Sequence, residues 1–122
     1  NEHEDAQITK EMVEAEGRKC LLIPGDVKKR DFCDYAIRST ITAFGKLDIL
    51  VNNAAFQLHA STFEDMTEEH FDQTIKTNLY GYFYMAQAAA KEMEYGSCII
   101  NSGSVTGLFG NKDLLDYSMT KG

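Results

Sequence analysis

The sequence predicts an α/β domain, a doubly wound parallel sheet with helices on both faces, and three observations predict it. Short apolar runs at 20–23, 47–51 and 97–101 alternate with longer segments of helical periodicity. The runs are continuous in their apolar character, as strands covered on both faces are. A glycine (Gly17, Gly45 or Gly96) follows each of the first three periodic segments where a helix would stop. Strand–helix–strand connections of this length imply right-handed crossovers.

Each element follows from its local pattern. Ile8, Met12 and Val13 recur at helical spacing across 6–15, with Gly17 as the stop. The run 20–23 closes on Pro24-Gly25 and reads as a buried strand ending in a turn. Asp31 then precedes a helix that carries Phe32, Ala36, Ile37, Ile41 and Phe44 on one face and ends at Gly45. A second strand, 47–51, runs into the polar turn Asn52-Asn53. From Thr67 a long helical pattern passes through Phe71, Ile75, Leu79, Phe83, Ala86 and Ala90 to Met93, and Gly96 ends it. A third strand, 97–101, leads into a glycine-containing loop over 102–111, and 114–121 begins a last helix. Ligands of open α/β sheets bind beyond the carboxyl ends of the strands, which selects Gly25-Asp26, Asn52 to Ala55, and Asn101 to Ser104.

Composition narrows the function. Twelve Lys and Arg against 19 Asp and Glu leave a net charge of −7 with no basic stripe, which argues against a nucleic-acid partner. No apolar run approaches the ~18 residues that span a bilayer, which argues against a membrane protein. Cys20, Cys33 and Cys98 are odd in number and widely spaced, and Asn1 to Asp5 is polar and acidic, unlike a secretory signal. A cytoplasmic protein is the expectation. His3, His59 and His70 show no ligand spacing, so no metal site is expected. At 122 residues the chain is at the small end for a dinucleotide-using enzyme.

Tyr117 and Lys121 stand four apart on the last helix, which puts phenol and ammonium on one face. A free phenol titrates near ~10, and a neighbouring cation favours its phenolate, so the pair can serve as a base. The spacing alone is cheap: six Tyr and nine Lys in this chain give roughly 0.4 such pairs by chance. Ser104, thirteen residues before Tyr117 and just past the third strand, can meet a substrate oxygen, although Ser102 is an alternative and either can be a turn residue. Asn52-Asn53-Ala54-Ala55 closes the second strand with amides that can bond backbone and alanines that let a flat ligand approach, or is an ordinary turn. Asn78 interrupts the long helix, either at a kink that holds a water or as a solvent-facing polar residue. Asp26 either accepts from an adenine amine or stabilises the start of the next helix.

Together these residues resemble the short-chain dehydrogenase/reductase family. The likeness runs from Asp26 to Lys121: Gly25-Asp26-Val27, then Leu47-Asp48-Ile49-Leu50-Val51-Asn52-Asn53-Ala54-Ala55, then Asn78, then Ile100-Asn101-x-x-Ser104, then Tyr117-x-x-x-Lys121. Each is weak alone, and five in order form a strong joint signal. Residues 1–25 resemble the family's second crossover helix and third strand, and Asn1-Glu2-His3-Glu4-Asp5 looks closest to its bacterial polyol or glucose dehydrogenase-like branch.

The resemblance implies a Rossmann-like fold, NAD or NADP as cofactor, and hydride transfer between an alcohol or polyol and its carbonyl. It implies that Tyr117 is the acid/base, Ser104 polarises the substrate oxygen, Lys121 tunes the phenol and binds the nicotinamide ribose, and Asn78 holds a relay water. Asp26 and Val27 would flank the adenine, and Asn53, Ala54 and Ala55 would line the ribose. Phe56 to Leu58 and Val105 to Phe109 would border the substrate, whose identity the residues leave open. The aromatics Tyr80, Tyr82, Phe83 and Tyr84 exceed what one buried face can take, which together with the family's habit suggests a homodimer or homotetramer.

Departures from the family pattern set further expectations. The glycine-rich phosphate loop is absent from these residues, and Gly103, Gly107 and Gly110 only imitate it, because Leu108 and Phe109 interrupt. A family sheet order of 3-2-1-4-5-6-7 makes the three strands numbers 3, 4 and 5. Strands 3 and 4 would then stand about 14 Å apart and be unable to pair. Residues 1–122 are therefore expected to be the central part of a single Rossmann-like oxidoreductase domain, lacking its first βα unit and C-terminal strands and excerpted from a chain roughly twice as long. A non-catalytic fragment unable to hold a dinucleotide is the alternative. The choice of NAD or NADP falls just before or at Asn1.

Overall fold

Two of the apolar runs pair in parallel. β1 (Ile49–Asn52) lies beside β2 (Cys98–Asn101), with Ile49 opposite Cys98 and Asn52 opposite Asn101. The ladder continues at both ends, where Cys98 N–H donates to the Asp48 carbonyl and Ser102 N–H to the Asn52 carbonyl, each at 2.9 Å. The computed structural model describes residues 2–122, so Asn1, where the choice of cofactor was expected to fall, lies outside them.

The helices are α1 (Glu2–Ala15), α2 (Arg30–Phe44), α3 (Glu68–Ile75), α4 (Gly81–Ala89), α5 (Val105–Phe109) and α6 (Leu115–Lys121). Between α3 and α4 the backbone stays helical through a π-turn, Lys76–Tyr80, so one long rod crosses from β1 to β2. Gly45 ends α2 at φ 83° with its N–H on the Ile41 carbonyl, a left-handed cap that a side chain would strain. Thr67 starts α3 by accepting the His70 N–H at 3.1 Å. The core is the seam of α2, α4 and β1, where Ile37, Ala88, Ala89 and Leu50 are buried together with Leu47, Met85, Ala86 and Met93 against them.

Five expectations need correction. The run 20–23 is not a buried strand: Leu21 and Leu22 are exposed, and it pairs with neither β1 nor β2, in keeping with the separation expected between family strands 3 and 4. The long helix ends at Ala89 rather than Met93, since the Glu92 and Met93 N–H groups both turn back to the Ala89 carbonyl. The segment 102–111 is not all loop, for it holds α5. Asp31 sits inside the first turn of α2, where its charge suits the helix dipole, and Lys29 occupies the boundary. Finally, the apolar stripe of the long helix divides: Phe71, Leu79 and Phe83 are exposed, at 42%, 42% and 54%, while Ala86 and Met93 pack against the core.

Candidate active site

Along α3 and the π-turn, the buried side of the rod is polar. His70, Thr74 and Asn78 follow one another at four-residue spacing and so share a face, and α6 lies against it. Thr74 and Asn78 are fully buried. The Thr74 hydroxyl donates to Asp116 Oδ2, and His70 Nε2 lies 3.1 Å from the same oxygen. One turn further on, Asn78 Nδ2 donates to Thr120 Oγ1 at 2.9 Å, and Thr120 in turn donates to the Tyr117 carbonyl at 2.8 Å. The other contacts of the Asn78 amide hold the loop after β1: its Oδ1 accepts the Phe56 N–H at 2.7 Å and its Nδ2 reaches the Phe56 carbonyl at 3.0 Å. Asn78 thus stands inside a helical irregularity, as its poor helix propensity suggested, and its side chain is committed to protein partners.

With Asp116 and Thr120 turned inward, Tyr117 and Lys121 occupy the adjoining face of α6. The Lys121 ammonium lies 5.8 Å from the Tyr117 ring centroid and 4.7 Å from that of Tyr82. It donates to the Tyr82 hydroxyl at 2.7 Å and to the Ser102 carbonyl at 2.8 Å. A lysine only 8% exposed is thereby provided with two oxygen partners.

Ser104 caps α5: its oxygen accepts the Thr106 N–H at 3.2 Å and the Thr106 hydroxyl at 3.0 Å. Both bonds are accepted, so its own proton stays available to another oxygen. Gly107 lets α5 press on α6, since a Cβ there would lie 2.2 Å from the Lys121 carbonyl oxygen. The two helices are brought together, while no hydrogen bond joins Ser104 to Tyr117 among the described residues. Ser102 is engaged elsewhere, its hydroxyl donating to Asn53 Oδ1 at 3.0 Å. Val105, Leu108 and Phe109 stand exposed.

Beyond β1 a cleft of about 80 Å³ is lined by Val27, Asn53, Ala54, Gly81 and Tyr82, among others. A Cβ on Gly81 would come within 2.9 Å of Val27 Cγ2, so the missing side chain keeps that floor thin. Val27 is fixed from behind by Cys33, whose thiol donates to its carbonyl at 3.3 Å. Burial, then Asp34 and Asp26, push that thiol above its ordinary value of 9.0. Three of the residues read as cofactor-binding, Val27, Asn53 and Ala54, therefore line one concavity, whereas Ala55 is exposed outside it. The Asp26 carboxylate accepts the Lys28 N–H at 3.0 Å and shapes the turn into α2.

Asp116, Thr120, Tyr82 and the Asn52–Asn101 amide contact at 2.9 Å were not anticipated. The signal for the first two was available, because Asp116 and Thr120 repeat the Tyr117/Lys121 spacing one residue earlier. Among the described residues no group of three or more His, Cys, Asp or Glu is placed to hold a metal ion, and no helix is long and apolar enough to cross a membrane.

Comparison with known proteins fits this geometry. The short chain dehydrogenase family matches residues 1–122. General stress protein 39 of Bacillus subtilis is 48% identical over the whole chain, and glucose and ribitol dehydrogenase of Daucus carota is 40% identical; the chain covers 43% of each. The crystal structure of a short chain dehydrogenase from Burkholderia cenocepacia in complex with NADP superposes with a TM-score of 0.91 at 30% identity, covering 97% of this chain and 48% of that one. The chain thus spans less than half the length of these relatives and corresponds to a part of a Rossmann-like domain.

Proposed function

The chain belongs to the short-chain dehydrogenase family, and on that premise we propose that the protein is an NAD(P)-dependent oxidoreductase interconverting a secondary alcohol or polyol with its carbonyl compound. The observation that carries this reading is the Lys121 ammonium, buried and held by two oxygens beside the Tyr117 ring. In this reading Tyr117 takes the substrate's hydroxyl proton in oxidation and returns it in reduction, with Lys121 supplying positive charge beside it. Ser104 donates its free proton to the substrate oxygen, and Asn78 braces both α6 and the loop at Phe56. Val27, Asn53 and Ala54, with Asp26 and Ala55 at the margin, would hold the adenosine end of the cofactor. When bound, the dinucleotide supplies or accepts the hydride.

The name of the Daucus relative supports polyols and sugars as the substrate class. We read residues 1–122 as the central part of one such domain in a cytoplasmic protein. The exposed Phe71, Leu79 and Phe83 support assembly as a homodimer or homotetramer. The decisive experiment is Tyr117→Phe in the full-length protein, assayed with ribitol and with glucose against NAD+ and NADP+. Turnover is expected to fall by about 10³-fold while NADPH affinity, read by fluorescence titration, stays within about twofold. Retained turnover overturns the role of the phenol.

A further inference from the structure

We infer that Asp116 is a positioning residue for Tyr117: its carboxylate, bonded by the Thr74 hydroxyl with His70 Nε2 3.1 Å away, fixes the rotation of α6 and so aims the phenol. The inference rests on the acid/base role proposed for Tyr117. Its physical basis is the geometry of two rungs. α6 has only seven residues and no side-chain cap at Leu114, so little within the helix itself fixes its orientation. Thr120 on Asn78, Lys121 on Tyr82 and Ser102, and Gly107 against the Lys121 carbonyl all attach the C-terminal turn of α6, about which its N-terminal turn can still pivot. Asp116 supplies a second point one turn away, on the same inner rail and against the same rod. Two rungs define a rotation, and Tyr117 and Lys121 each follow a rung by one residue, about 100° round the helix.

The chemistry of the position also argues for alignment. Asp116 is 1% exposed, and its Oδ1 has no hydrogen-bond partner among the described residues. An apolar side chain of similar volume would fill this place without desolvating a carboxylate, so packing alone does not explain an aspartate. What an apolar residue cannot provide is a directional bond to the Thr74 hydroxyl in a dry setting. Thr74 and His70 both converge on Oδ2, and the ring of His70 is itself set edge-on against Phe56 at 6.0 Å, in the loop that Asn78 holds. The phenol's placement is thereby tied to the end of β1.

The test uses the full-length protein with 3-fluorotyrosine at position 117, read by fluorine NMR without cofactor, alongside kcat with ribitol and NADP+ per NADPH-binding site. Thr74→Val, which keeps the shape and removes the donor, is expected to shift or split the single fluorine resonance and lower kcat about 10-fold; Asp116→Ala is expected to lower it up to about 100-fold. KM for NADP+ stays within about twofold in both, and Thr74→Ser restores resonance and rate. Should Asp116→Ala fail to fold, the Thr74 pair decides alone. An unchanged resonance and wild-type kcat per site in Thr74→Val overturn the inference while leaving Tyr117's role intact. Full activity in Tyr117→Phe overturns that role and this inference with it.

Discussion

Along α3 and the π-turn the two faces of the rod invert the usual pattern, whereas α4 keeps it, with Ala88 and Ala89 in the core. One face carries Phe71, Leu79 and Phe83 and is open; the other carries His70, Thr74 and Asn78 and is closed. Apolar periodicity located a stripe without assigning it a side, because periodicity reports where apolar surface lies and is silent about what covers it. The buried polar face is the more informative one. Polar groups are tolerated out of water only when partnered, so each buried one fixes a specific neighbour, here α6 and the loop at Phe56. An apolar contact slides at little cost; a hydrogen bond to a particular oxygen does not.

The comparison can be broken most forcefully at Asn78. Asn78→Ala strands the Phe56 N–H and carbonyl, each worth about 1–3 kcal/mol when left unpaired and buried, and removes the bond that Thr120 accepts while leaving the one it donates to Tyr117. A loss of about 3 kcal/mol in the urea unfolding free energy of the full-length protein is expected, and a loss below about 1 kcal/mol would show that the closed face does not organise the site. The open face predicts the reverse. Leu79→Asp with Phe83→Asp should change the stability of the dissociated protomer by no more than about 0.5 kcal/mol per site, while sedimentation moves from a dimer or tetramer to the monomer. An unchanged sedimentation profile would remove this face from the assembly.

The smallest effect sharpens the contrast where α4 meets the cleft floor. Cys33, pushed above its ordinary value of 9.0 chiefly by burial, retains its proton in the folded protein after the unfolded chain has begun to lose it. Its contribution is therefore fully present below pH 9 and declines as pH rises through the folded value. Urea midpoints of the wild type should fall more steeply between pH 9 and pH 10.5 than those of Cys33→Ala. Parallel slopes would show that this thiol is not protected.

The alternation of apolar runs and helical segments determined the α/β class and the parallel sheet. The reading of β1 and β2 as strands held because each lies beside the other, and the equally apolar run at 20–23 lies beside neither. Side chains that need only proximity along one helix, such as Tyr117 and Lys121, were legible, since helical geometry converts sequence spacing directly into a shared face. Asn78 was legible as an anomaly, its propensity being at odds with its position. Only the tertiary structure decided which face of the rod is buried, that Asp116 and Thr120 join α6 to it, that the Lys121 ammonium rests on Tyr82 and Ser102, and that Gly107 and Gly81 are sites of close approach. The reason is range: propensity and periodicity act within a few residues, whereas these contacts join groups 14 to 54 positions apart that can find their partners only once the crossover has returned the chain to the same edge of the sheet.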